Sequence, residues 1–136
     1  MKDEYLRQLA REFPDQFPDG QAYSINVGDG WYGLVREACV KLQHELIDNP
    51  KLRGRTSWFQ IKEKFGGIRL NYDLRGLSGP MLSNSFLDAI SEIERRSFKT
   101  CEDCGSCEAV TTEGPGWLRS LCPKCREEMW ARRSRR

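Results

Sequence analysis

Apolar positions recur along this chain with two periods, and the switches between them mark its elements. In residues 3–13, Tyr5, Leu6, Leu9 and Phe13 share one face at helical spacing, which predicts a short amphipathic helix. The stretch FPDQFPDG ends it with two prolines and a glycine. Tyr23, Ile25 and Val27 then alternate with polar neighbours, the period of a short strand. From about 30 to 47 the helical period returns in Trp31, Leu34, Val35, Ala38, Cys39, Leu42 and Leu46, with Asp29 placed to act as N-cap. The segment DNPKLRGR stops this second helix.

Residues 57–75, SWFQIKEKFGGIRLNYDLR, alternate on both sides of a glycine pair and predict a β-hairpin. The apolar faces of its two strands coincide only if the loop has an even number of residues, which selects Gly66-Gly67 as a two-residue turn. That register pairs Phe65 with Ile68, Glu63 with Leu70, Ile61 with Tyr72 and Phe59 with Leu74. Glu63 is then the one charge on an apolar face. Burial of a carboxylate is costly unless it is paired, so Glu63 either reaches water or a basic partner such as Arg36, or accepts hydrogen bonds from a ligand. The opposite face gathers Trp58, Gln60, Lys62 and Lys64 against Arg69, Asn71, Asp73 and Arg75. Lys64 across from Arg69 is a like-charge pair that a bound anion would relieve. Basic groups beside an aromatic suit a phosphate and a base. The candidate ligand site is therefore Trp58, Lys62, Glu63, Lys64 and Arg69, with Trp31 from the glycine loop before the second helix.

A linker, GLSGP, leads to a third helix at about 84–97 with Phe86, Leu87, Ile90 and Ile93 facing inward. Residues 100–131 are cysteine-bearing and turn-rich, and WARRSRR closes the chain with four arginines in the last five residues. The pattern is that of an α+β protein: a small helix and β-hairpin core at 1–99, a zinc-ribbon module at 100–131 and a solvated basic tail at 132–136.

Cys101 and Cys104 are followed, 17 residues after Cys104, by Cys122-Pro-Lys-Cys125. This C-x2-C-x17-C-x2-C spacing fits a four-cysteine zinc site with one structural Zn²⁺ and no open coordination position. Such a site needs two turns whose backbone N–H groups point at sulfur, and Gly105 and Pro123 suit them. Between the pairs, AVTTEGPGWLRSL reads as strand, turn at Glu113–Gly116, and strand. Using Cys107 in place of Cys101 shortens the loop to 14 residues and loses the glycine that follows the pair. Cys39 lies on the apolar stripe of the second helix as a core thiol. A thioredoxin-like redox role is disfavoured because that motif belongs at a strand-to-helix junction.

The formal charge of +2 counts the cysteines as neutral, and four thiolates around one zinc ion return it to near zero. Wholesale attraction to nucleic acid is not expected, which leaves local basic patches and the arginine tail, whose phosphate contacts would be salt-dependent. The N-terminus is charged throughout and lacks an apolar signal-peptide core, and no apolar run has the length of a membrane span. A cytoplasmic location, where thiols stay reduced, is the expectation. Gly28-x-Gly30-x-x-Gly33 matches a dinucleotide fingerprint, with Asp48 about 20 residues on. The following strand turns back as a hairpin, however, and Trp31 stands where backbone should approach a pyrophosphate. The glycines then serve the turn before the helix, or leave free N–H groups for an anion. His44 is the only histidine and has no serine or cysteine visibly placed beside it. The chain reads as a binder rather than an enzyme.

Taken together, GWYGLVREAC, FQIKEKFGGIRLNYD, CEDCG and LCPKC resemble a family of small zinc-ribbon proteins of bacteria, prophages and phages. The likeness spans about residues 28–125. The resemblance implies host-takeover or counter-defence roles, including inhibition of a bacterial immune protein or capture of a nucleotide signal in the host cytoplasm. The expected partner is an anionic, nucleotide-like small molecule. The alternative is an adaptor or inhibitor that binds a host protein or nucleic acid through the ribbon and the arginine tail.

Overall fold

The computed structural model describes residues 1–76, 82–114 and 117–135. Most of the GLSGP linker, Pro115 and Gly116 in the expected ribbon turn, and Arg136 lie outside the described residues. Helix α1 spans Asp3–Glu12 and buries Leu9, with Phe13 just past its end. Strand β1, Ile25–Asn26, is only two residues long and pairs in parallel with the next strand, setting Ile25 beside Ile61. Helix α2, Tyr32–Asp48, buries the whole predicted stripe from Trp31 to Leu46. Its N-terminus differs from expectation. A 3-10 turn, Asp29–Trp31, feeds the helix, and Asp29 Oδ1 accepts the Lys2 backbone N–H at 2.7 Å instead of capping α2.

Strands β2, Thr56–Lys64, and β3, Gly67–Leu74, complete a sheet in the order β1-β2-β3. Helix α3, Asn84–Ser97, has the predicted bounds and starts at Ser83, whose hydroxyl accepts the Phe86 N–H at 3.1 Å. Its Phe86, Ile90 and Ile93 join the core, while Leu87 stays exposed. The outer edge of β3 would otherwise offer free N–H groups to another strand. Here the Ile68 N–H donates to Ser97 Oγ at 2.9 Å and the Leu70 N–H to Glu94 Oε2 at 3.0 Å, so α3 closes that edge.

The hairpin has a different register from the one the glycines suggest. Its turn is Phe65-Gly66, both with positive φ (55° and 84°), as a two-residue hairpin turn that follows the strand twist requires. Gly67 is already strand, opposite Lys64, and Lys62 rather than Lys64 faces Arg69. The Glu63 carboxylate accepts the Gly66 N–H at 2.8 Å, so its partner is the turn's own backbone, and Arg36 pairs with Glu12 instead. A bulge between Trp58 and Gln60 then shifts the pairing so that Trp58 faces Tyr72. It exchanges the two adjacent aromatics. Trp58 turns inward, where its indole N–H donates to Gln16 Oε1 at 2.8 Å, and Phe59 turns outward with 69% of its surface exposed. Gln16 in turn donates to the Cys39 carbonyl at 2.7 Å, so the buried polar atoms satisfy one another.

Strands β4, Val110–Gly114, and β5, Trp117–Leu121, form a second, two-stranded antiparallel sheet. Helix α4, Pro123–Ser134, follows directly. It continues through residues expected to be ribbon end and free tail, because Met129 is buried and the Arg133 guanidinium lies 4.9 Å from the Trp117 ring centroid. No helix of the described residues is long and apolar enough to cross a membrane.

Candidate metal centre and the basic sheet face

Cys101 and Cys104 stand on the turn that follows α3, and Cys122 and Cys125 on the first turn of α4. Their four sulfurs lie within 4.8 Å of one another, with Cys104 Sγ and Cys122 Sγ 3.7 Å apart. A regular tetrahedron with metal–sulfur bonds of about 2.3 Å has edges of about 3.8 Å. The group is thus able to hold a metal ion. Cys107 is exposed and not part of it.

The local chain explains the convergence. Gly105, at φ 82°, closes the first turn with its N–H donating to the Cys101 carbonyl at 2.9 Å. Burial raises the Cys101 thiol, but the backbone N–H groups of Cys122, Cys104 and Asp103 aimed at its sulfur bring it down to about 7. Desolvation, and then the sulfurs of Cys122, Cys104 and Cys101, hold the Cys125 thiol well above its ordinary value. A cation among them would relieve that crowding. Pro123 occupies the first position of α4, where its missing N–H costs nothing, and Cys122 takes the N-cap position. The positive end of the helix therefore faces the second pair. Cys122-Pro-Lys-Cys125 does lie at a strand-to-helix junction, contrary to expectation. What separates it from an isolated redox dithiol is the arrival of Cys101 and Cys104 beside it. Cys39 is a core thiol as expected, pushed up to about 12 mainly by burial.

Sequence reasoning missed how this unit is seated. The Gly30 N–H donates to the Glu102 carbonyl at 2.9 Å, and the Trp31 indole donates to the Thr100 carbonyl at 2.7 Å. A Cβ on Gly28 would stand 2.3 Å from Glu102 O, and one on Gly30 would stand 2.1 Å from Cys101 O. The two glycines therefore let the first cysteine turn approach the core backbone, and no phosphate is needed to explain them. At the hairpin tip, Ser120 Oγ donates to the Gly66 carbonyl at 2.5 Å. Glu102 is buried in this seam, and its carboxylate accepts the Ser120 N–H at 2.6 Å with Arg119 Nε 3.9 Å away. Desolvation raises its pKa to about 7.

The sheet's outer face holds only part of the expected ligand set. Trp31 and Trp58 are interior residues with their indole N–H groups engaged, and Glu63 caps the turn. Lys62, Lys64 and Arg69 remain on the outer face. Lys62 sits on the middle strand between Asn26 of β1 and Arg69 of β3. Gln60 and Asn71 form the next row, and Phe59 stands beside Gln60 as the unpaired residue of the bulge. Among the described residues, no carboxylate lies within salt-bridge distance of Lys62, Lys64 or Arg69. The two adjacent aromatics at 58 and 59 were the available signal, since strict alternation sends one of them outward. Which one depends on the bulge, and that follows from Gln16, distant in sequence.

The molecule is thus a mixed α+β fold with two small sheets and a C-terminal four-cysteine cluster able to hold a metal ion. Comparison of the chain with protein-family models, with curated proteins and with solved structures gave no match.

Proposed function

We propose that this protein is a non-enzymatic binding protein that carries one structural Zn²⁺ and takes a nucleotide-like anion on the outer face of its three-stranded sheet. Four thiolates in a closed tetrahedral set favour zinc and leave no position for a substrate. The observation that carries the ligand reading is the Lys62–Arg69 pair. Two cations facing each other across strands are destabilising, yet among the described residues they have no acidic partner within salt-bridge distance. A phosphate between them would form charge-assisted hydrogen bonds to both. The Gln60–Asn71 row beside them offers amides to a base edge, and Phe59 offers a ring to its face. The resemblance to phage and prophage zinc-ribbon proteins supplies the setting, with capture of a nucleotide signal as a counter-defence role.

Native mass spectrometry of protein purified from cells tests this directly. A phosphate-bearing mass should accompany the wild type and be absent from Lys62→Ala and Arg69→Ala. Removing one charge-assisted hydrogen bond is worth about 1.5–3 kcal/mol, so anion affinity should fall roughly tenfold or more. If both variants stay folded and bind every anion as the wild type does, the face is only a solvated surface.

A further inference from the structure

Resting on the reading of the outer sheet face as an anion site, we propose that its occupant is a single strand of nucleic acid rather than a mononucleotide. The face is a row of repeated features, not a cup. Near its base, Phe59 and Tyr23 are 69% and 80% exposed and line a shallow depression of about 250 Å³ together with Arg75 and Asp73. Asp73 is the acid that the hairpin strands present on this side, and Asp19 also lines the depression, so the base of the face is less basic than its middle and tip. At its tip, Phe65 is 65% exposed and the Lys64 ammonium lies 5.7 Å from its ring centroid. Lys62 and Arg69 stand between the two ends.

The spacing decides between the two occupants. A strand rises about 3.3 Å per residue, so Phe59 and Lys64 are separated by about 17 Å. A mononucleotide that uses Lys62, Arg69 and Phe59 leaves Lys64 and Phe65 uncompensated. A single strand at about 3.4 Å per stacked nucleotide crosses that distance in about five nucleotides. It gives each cation a phosphate and each exposed ring a base. Stacking on aromatic rings along a basic track is how strands are held without reading sequence. A duplex hides its base faces and so loses the rings. The Phe59 bulge supports the same occupant, because it brings an aromatic out of the core onto the face that carries Lys62 and Arg69.

The experiment uses the full, metal-loaded chain and fluorescence anisotropy with four probes. These are labelled oligothymidylate and oligouridylate of about 20 nucleotides, a duplex of equal length, and labelled ATP. At least one single strand should bind about tenfold more tightly than the duplex, and the stronger of the two identifies DNA or RNA as the source. Phe59→Ala and Arg69→Ala should each weaken that binding about tenfold. Lys62→Ala should also lower the slope of affinity against salt by about 0.7. The Arg132→Ala/Arg135→Ala double variant, which leaves Arg133 on Trp117, should bind like the wild type. Equal affinity for the duplex, indifference to Phe59→Ala and Arg69→Ala in folded protein, or loss in the α4 double variant each overturns the proposal. ATP binding that depends on Arg69 without strand binding overturns it while leaving the anion site standing. Binding of none of the four probes removes both.

Discussion

The helix-and-sheet core and the cysteine-bearing unit are held together by different physics. Among the described residues, 22 buried apolar side chains from α1, α2, α3, the first sheet and the turns between them form one continuous cluster. The second cluster has six members, three of them the cysteines Cys101, Cys122 and Cys125, with Trp117 partly buried against it. A unit of that size cannot offset its chain entropy by burial alone. The seam between the two includes hydrogen bonds to backbone carbonyls: those of Thr100 and Glu102 accept from the Trp31 indole and the Gly30 N–H, and that of Gly66 accepts from the Ser120 hydroxyl. Hydrogen bonds of this kind fix position and add about 1 kcal/mol each. The core therefore has its own source of stability, and the second unit has four cysteines able to hold a metal ion and the surface the core presents.

Metal removal gives the largest effect that comparison predicts. Structural zinc contributes about 10–16 kcal/mol of apparent binding energy that is also folding energy. Purified protein should contain about one equivalent of zinc, and Cys104→Ser should release it. Hydrogen exchange should then speed up through β4, β5 and α4 while α2, α3 and β2 stay protected. Cys107→Ser should retain the metal, since that thiol is exposed and outside the group. Loss of protection in α2 on chelation would show instead that the two regions fold as one unit.

The next effect separates seating from metal binding. In Gly30→Ala the new Cβ meets the Cys101 carbonyl oxygen at 2.1 Å and the Gly105 nitrogen at 2.6 Å, both backbone atoms that cannot rotate aside. Overpacking of this type costs about 1–3 kcal/mol, and the upper end applies here. The variant should keep its zinc, because the clash falls on backbone atoms of the cysteine turn and not on a ligand sulfur, and lose about that much in urea denaturation. If Gly30→Ala sheds metal as readily as Cys104→Ser, the seam is part of the metal site rather than its mounting.

Legibility in the sequence followed the same division. Where one residue type and one period determine structure, the reading holds: the α2 stripe, the bounds of α3 and the C-x2-C-x17-C-x2-C cysteines all lie where their spacing puts them. Where structure depends on contacts distant in sequence, it fails. Gly66-Gly67 looks like a turn dipeptide, but Gly67 faces the Phe98 ring across the fold and belongs to β3. Gly28 and Gly30 imitate a phosphate loop because any close backbone approach requires glycine, whether the visitor is a pyrophosphate or a cysteine turn. The arginines after Trp130 look like a free tail because nothing local shows that Trp117 awaits Arg133. Half of the expected ligand set survives on the outer face for a similar reason. Charges must face outward in any register, whereas the two tryptophans could go either way.

The smallest effects lie within the hairpin, and they test the bulge on which the ligand reading depends. Trp58 and Phe59 are neighbours of similar chemistry with opposite surroundings, 4% and 69% exposed. Trp58→Phe keeps most of the packing but removes the indole N–H, leaving the fully buried Gln16 with an unsatisfied carbonyl oxygen. That should cost about 1–3 kcal/mol. Phe59→Ala removes a ring that faces solvent, so its cost should stay within about 0.5 kcal/mol. Urea denaturation of the two variants measures both. Were Phe59→Ala to cost as much as a core truncation, about 3–5 kcal/mol, the strand would run without a bulge and Phe59 would face inward. Trp58 would then take its place on the outer face, and the ring beside the cations Lys62 and Arg69 would be an indole that Phe59→Ala cannot remove.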